Sequence, residues 1–287
     1  MRDFSHSHEH LSLNTATVRK QWQLDRIIDE CAKRGIRAIS PWRDQVAAVG
    51  LNEIAKRLRD TGTSLSGYCR GGFFPAPDAA GLKAALDDNR KAIDEAKTLN
   101  APCLVLVVGA LPGALEGKAL YKDIERARSE VRDGIAATLE YARSVGMPLA
   151  IEPLHPMTAA DRACINTLEH ALDLCDELDP GRSGMLGVAC DVYHVWWNYK
   201  LEEQIARAGH KRLLAFHVCD WLTPTRDLLN DRGMMGDGII EISKIRGWVE
   251  AAGFAGYSEV EIFSDHWWSK PGEEVLDTVI ARHKSVV

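Results

Sequence analysis

GVACDVYHVWW, residues 187–197, starts as an apolar strand and ends with an acid and a histidine three positions apart, beside two tryptophans. An unbroken apolar run of this kind suits a strand covered on both faces, as in a parallel sheet. With its flank it reads as a strand over 186–193. Seven further runs share the pattern: LSLNT 11–15, AISPW 38–42, LSGYC 65–69, CLVLVVG 103–109, LAIEPL 149–154, LLAFHVC 213–219 and SEVEIFS 258–264. Each strand is followed by a helical pattern. In TVRKQWQLDRIIDECAKRG, Trp22, Ile27, Ile28 and Cys31 recur at helical spacing and Gly35 supplies a stop. Eight strand and helix units in 287 residues predict a closed (β/α)8 TIM barrel in the α/β class. No linker or composition break marks a second domain, so residues 1–287 read as one barrel domain with 1–9 as a flexible N-terminal arm.

A net charge of -6 offers no clustered cations for nucleic acid, and no run of about 18 apolar residues predicts a membrane span. Cysteines at 31, 69, 103, 164, 175, 190 and 219 have no CxxC spacing and read as reduced core thiols of a cytoplasmic protein. His6, His8 and His10 in HSHEH alternate as metal ligands can, although a solvated terminus is the simpler reading. Small polar molecules are the expected partners.

Loops at the carboxyl ends of barrel strands converge on one mouth, where the chemistry of such barrels sits. Four late strands end in chemical groups: Glu152 in AIEPLHP, Asp191 in ACDVYH, His217 in FHVCDW and Glu261 in VEIFSD. Side chains alternate across a strand, so Glu152, His217 and Glu261, each between apolar or proline neighbours, point into the barrel. Unpaired carboxylates there cost several kcal/mol each unless a proton, an arginine or a cation relieves them. Three oxygen donors and one imidazole suit Mn²⁺ or Mg²⁺, with Co²⁺ or Zn²⁺ as alternatives. Pairing of each acid with an arginine is the competing reading; four groups at successive strand ends favour the cation.

The ordered set IEPLHP, CDVYH, FHVCDW and VEIF resembles the xylose isomerase-like TIM-barrel superfamily of sugar isomerases and epimerases. LNTAT after the first strand and DRGMMGDGIIEI in the last third are similar to its inosose isomerase type. The resemblance implies a metal on Glu152, Asp191, His217 and Glu261, with Glu152 and Glu261 doubling as the acid/base pair. It also implies that His194 holds a substrate oxygen and that Arg232 sits beside the substrate or a metal ligand. Asn14, in the LNTAT pattern, joins the expected substrate-binding set. The chain departs from the family at Thr158, where free-ketohexose epimerases often carry a second glutamate, and at Met235, where a proline is common.

His155 is a further titratable group at the same lip. Trp196, Trp197, Trp221, Trp267 and Trp268 all follow strands that carry ligands, which suits stacking on a ring-shaped substrate or a subunit interface in a homo-oligomer. Trp196 is the tryptophan assigned to the substrate. Arg43 and Arg70, after the second and third strands, are candidates for an anionic group.

The expected function is therefore metal-dependent isomerisation or epimerisation of a keto-sugar or inosose through an enediolate, with proton transfer by Glu152 or Glu261. Loss of a β-substituent from the same intermediate would make the protein a lyase or dehydratase of an oxidised sugar or 3-keto-glycoside. A three-zinc DNA-repair endonuclease shares the expected fold but needs more histidines at strand ends, where this chain offers Cys69 and Gly109. A non-catalytic sugar-binding barrel is the remaining rival.

Overall fold

The computed structural model describes residues 2–287. Its eight parallel staves are β1 Leu11–Asn14, β2 Ala38–Ser40, β3 Tyr68–Gly72, β4 Leu104–Val107, β5 Leu149–Ile151, β6 Leu186–Asp191, β7 Leu213–Val218 and β8 Ser258–Val260. Neighbours pair in chain order, and β1 returns to β8 with Leu11 opposite Ser258. The third stave is broken: Ser64–Leu65 pairs with β2, while Tyr68–Gly72 pairs with β4. A bridge from Trp42 to Cys69, with the Cys69 N–H donating to the Pro41 carbonyl at 3.0 Å, joins the two edges. The fold is the TIM barrel expected from the strand and helix alternation.

The staves are short and almost wholly buried, because their outer faces meet helices and their inner faces meet one another. Caps set where the helices start: Asp123 accepts from the Arg126 N–H at 3.0 Å, and Thr167 from the His170 N–H at 3.1 Å. Gly35, with φ +72°, turns the chain out of the first long helix, Leu24–Lys33. No helix is long and apolar enough to cross a membrane among the described residues.

Two expectations are corrected by the structure. The sixth strand stops at Asp191 instead of running to Tyr193. Asp191 accepts from the Tyr193 N–H at 2.8 Å and so caps a single helical turn, Val192–Val195. Residues 2–9 do not form a free arm: Phe4 is buried and stacks on His283 with centroids 4.7 Å apart, and Arg2 Nε donates to Glu250 at 2.9 Å. Within HSHEH, His8 Nε2 lies 3.0 Å from the Arg34 carbonyl and His10 Nδ1 lies 3.0 Å from Arg2 Nη1.

Arg212 holds together the two staves that carry Asp191 and His217. It is fully buried between the helix Leu168–Leu178 and β6, donating to Asp179 Oδ2 at 2.8 Å and to the carbonyls of Leu186, Cys175 and Asp179 at 2.7, 3.0 and 2.6 Å. Gly187 lets the Arg212 backbone approach, because a side-chain carbon there would overlap its carbonyl. Replacing Arg212 by alanine strands these acceptors without water and is expected to lower unfolding stability by about 3–5 kcal/mol in urea titrations. A loss under about 1 kcal/mol would contradict this anchoring role.

Candidate functional site

The carboxyl ends of β5, β6, β7 and β8 deliver Glu152, Asp191, His217 and Glu261 to one point. Each offers a ligand atom, and these atoms all lie within 4.8 Å of one another. All four side chains are buried. Alternation produces the convergence: each residue is the inward position at or just beyond the last ladder pair of its stave.

Arg232 enters the same space. A two-residue antiparallel ribbon, Asp220–Trp221 against Arg232–Gly233, brings the chain back over the mouth, and the Arg232 N–H donates to the Phe263 carbonyl at 2.9 Å. Its Nη1 donates to Asp191 Oδ2 at 2.8 Å and to Glu261 Oε2 at 3.0 Å. One guanidinium therefore serves two acids. Glu152 pairs instead with the imidazole, its Oε1 lying 2.9 Å from His217 Nδ1.

A fifth group lies one layer deeper. Glu259 points inward two positions before Glu261, and its Oε1 stands 3.5 Å from His217 Nε2. Asn14 Nδ2 and Ser66 Oγ both donate to this carboxylate at 2.8 Å, and Trp42 Nε1 donates to Asn14 Oδ1 at 2.8 Å. His217 is thus clasped between Glu152 above and Glu259 below.

Charge is unevenly compensated. Burial, the largest influence, pushes the Glu261 carboxyl up to about 8; Arg232 opposes it and Glu152 reinforces it. Burial also works against the Asp191 charge, but Arg232, His194 and His217 outweigh it and hold that carboxyl below its usual range. Burial would lower the His217 pKa, yet Glu259, Glu152 and Glu261 keep it well above the ordinary imidazole value. Glu152, Asp191, Glu259 and Glu261 crowd an interior whose cationic partners are Arg232 and a protonatable His217. Oxygen donors from separate rigid staves, one imidazole and a shortfall of positive charge fit a divalent cation.

The cluster forms the floor of a cavity of about 160 Å³. Glu152 and Glu261 open onto it, whereas Asp191 and His217 lie behind. His194 lines the wall; its Nδ1 accepts from the His155 N–H at 3.0 Å, and Nε2 lies 3.6 Å from Asp191 Oδ2 and 3.1 Å from Arg232 Nη2. Burial drives the His194 pKa down to about 3, so the ring is neutral. His155 stacks on Trp221 at 4.7 Å, and burial lowers its pKa also.

Of the residues expected at the substrate, His194, Arg232 and His155 line the cavity. Asn14 and Trp196 stand one layer back. Asn14 braces Glu259 and accepts from the Ala16 N–H at 3.1 Å, while Trp196 backs Trp221 at 5.8 Å. Trp268 packs on Phe263 and donates to the Ala16 carbonyl at 2.9 Å. Trp42, Phe73 and Phe263 supply cavity wall that local pattern did not single out. Glu259 was legible in principle, since it shares the inward phase of Glu261 on one strand.

Comparison with known proteins agrees with this architecture. The chain is 22% identical to the inosose isomerase of Bacillus velezensis over 285 residues, 96% of each protein. The crystal structure of protein SMc04130 from Sinorhizobium meliloti 1021 is similar with a TM-score of 0.92 and 56% identity, covering 98% of this chain and 99% of that one. The IOLI protein, whose structure holds a zinc atom, matches with a TM-score of 0.82 at 20% identity over 97% of this chain and 98% of that one. The xylose isomerase-like TIM barrel family model matches residues 28–285, and the chain belongs to that family.

Proposed function

We propose that the protein is a divalent-metal-dependent isomerase or epimerase of a keto-sugar or inosose. One observation carries the reading: of the four converging ligands, the two glutamates open onto the cavity, where they can reach a substrate carbon, while Asp191 and His217 face the cluster alone. The similarity to inosose isomerases along nearly the whole chain supports this substrate class.

Glu152, Asp191, His217 and Glu261 would hold the cation, with Mn²⁺ suited to the oxygen-rich set and Zn²⁺ supported by the zinc atom of the IOLI protein. When bound, the cation supplies a Lewis acid that polarises a substrate carbonyl. Glu152 and Glu261 remove and return the carbon-bound proton. His194 and Arg232, in contact at 3.1 Å on the cavity wall, would together hold a substrate oxygen. Glu259 Oε1, 3.5 Å from His217 Nε2, would steady the imidazole electrostatically from below. The whole chain acts as one catalytic barrel. Seven free, buried cysteines suit a reducing cytoplasm, and Tyr199, 91% exposed in the same surface hollow as Ile239, suits a contact between copies of the chain.

One observation favours elimination as a second reading. His155 is a neutral imidazole at the cavity rim with no acid paired to it, placed to act as a third base. Proton exchange separates the readings. Purified protein should contain a divalent metal and should incorporate solvent deuterium into an inosose or ketose without releasing a fragment. Release of a fragment from a 3-keto-glycoside would establish the lyase, and absence of both outcomes with sugar still bound would leave a binding barrel.

Glu152→Gln and Glu261→Gln are each expected to cut deuterium exchange by about 10²–10⁴-fold, because each removes a proton-transfer group. Glu259→Gln should weaken metal affinity by about 10- to 100-fold in competition with a chelating dye, since it loosens the imidazole without removing a ligand.

A pH series on metal-free protein gives a third test. Glu261, raised from 4.5 to about 8, and His217, raised above 6.5, bind their protons more tightly folded than unfolded. Their contributions to stability therefore fall as pH rises from about 6.5 to 8. His194, lowered from 6.5 to about 3, acts in the opposite sense but is finished by pH 6.5. The melting temperature should drop across this window, and added Mn²⁺ should flatten the dependence by replacing the protons. A metal-free melting temperature that rises across the same window would contradict the charge balance.

A further inference from the structure

Beyond the metal ligands, the outer cavity carries two arginines and no acid. Its lining acids are Glu152 and Glu261, both on the floor, while Arg70 and Arg162 stand in the upper wall among Trp42, Phe73, Met157 and Leu228. Arg70 makes no hydrogen bond or ion pair among the described residues, and its guanidinium carbon lies over the Phe73 ring, 4.0 Å from the centroid. Arg162 has one weak neighbour, Asp161 at 3.9 Å. The contrast with Arg43 is instructive. That side chain turns away from the cavity and is locked by Asp88 at 2.7 Å and Glu95 at 2.9 Å. Arg37 and Arg59 also lack partners, but both are exposed and solvated. Arg70 is half-buried in the cavity wall, and that burial, with Arg43 and Arg162 nearby, opposes its charge and lowers its pKa.

A half-buried guanidinium on a cavity wall with no protein partner leaves its N–H donors to a ligand. Phe73 lies against the group, and a guanidinium's fork of donors matches a carboxylate in two parallel hydrogen bonds. A phosphate site would typically add backbone N–H groups from a glycine-rich turn or a helix start; the cavity lining contains no glycine and no lysine. We propose that the substrate is a sugar acid: its keto end sits over the Glu152 and Glu261 floor, and its carboxylate is held by Arg70 with Arg162 closing over it. This deepens the isomerase reading and rests on it for the orientation of the substrate. The carboxylate pocket itself is tested by binding alone.

Three six-carbon ketoses that differ at one terminal group make the probe set: D-fructose, its C6 carboxylate D-fructuronate and D-fructose 6-phosphate. Their affinities are measured by calorimetry on the Mn²⁺-loaded protein, at low and high salt, for wild type, Arg70→Met, Arg70→Lys and Arg162→Met. Charge-assisted bonds of this kind predict D-fructuronate binding about 10- to 100-fold more tightly than D-fructose, a preference that shrinks at high salt. Arg70→Met should bring the ratio of the two affinities close to one. Arg70→Lys, which keeps the charge and loses the fork, should retain part of the preference, and a thermal melt on each variant confirms that it is folded. The proposal is overturned if D-fructuronate binds no better than D-fructose, if the preference survives both methionine variants, or if D-fructose 6-phosphate is the tighter ligand. A carboxylate preference without proton exchange would retire the isomerase reading and leave the pocket standing. Exchange on neutral ketoses without that preference would do the reverse.

Discussion

The constraint on which this protein turns is electrostatic. Glu152, Asp191, Glu259 and Glu261 are brought into the apolar interior of one barrel, against Arg232 and the imidazole of His217. In a medium of low polarisability, unshared carboxylates cannot all stay charged without a partner. The protein's own groups relieve the strain in part: Arg232 bridges Asp191 and Glu261, and His217 stands between Glu152 and Glu259. What they leave over is a raised Glu261 carboxyl and a shortfall of positive charge, at the point where four ligand atoms meet within 4.8 Å. A site built this way could hold a divalent cation beside Arg232.

Holding such a cluster requires a frame that does not yield. The parallel staves give it stiffness through buried, doubly covered strands, and Arg212 ties β6 to its flanking helix by bonds to three carbonyls. Proton placement is set by neighbours of equal rigidity. The His155 N–H fixes Nδ1 of His194 as an acceptor, and Glu259, itself braced by Asn14 and Ser66, fixes the orientation of His217. Binding and orientation are thus decided a layer away from the atoms that would react.

The cavity above is divided by chemistry. Its floor is acidic and ligating, and its upper wall is aromatic, aliphatic and cationic. Thr158 lines this wall and donates to the His155 carbonyl at 2.8 Å, so this position places no carboxylate opposite Arg70. In the proposed reading, selection among substrates falls to this upper part, while the floor suits a reaction common to many carbonyl compounds.

Much of this was readable in the linear chain. Period-two alternation and the spacing of strand ends place Glu152, Asp191, His217 and Glu261 at one mouth, because a barrel's geometry follows from local periodicity and the repeat of its units. The same alternation contains Glu259, two residues before Glu261. Tertiary structure alone decided the rest: that Arg232 is shared between two acids, that Arg43 is spent on Asp88 and Glu95 while Arg70 stays free, that Trp42 and Trp221 face the cavity while Trp268 does not, and that residues 2–9 are pinned by Phe4 and Arg2. Those outcomes depend on which long side chains meet across elements distant in sequence. Local pattern fixes the direction in which a side chain leaves the backbone; its partner is set by whatever the fold brings within reach.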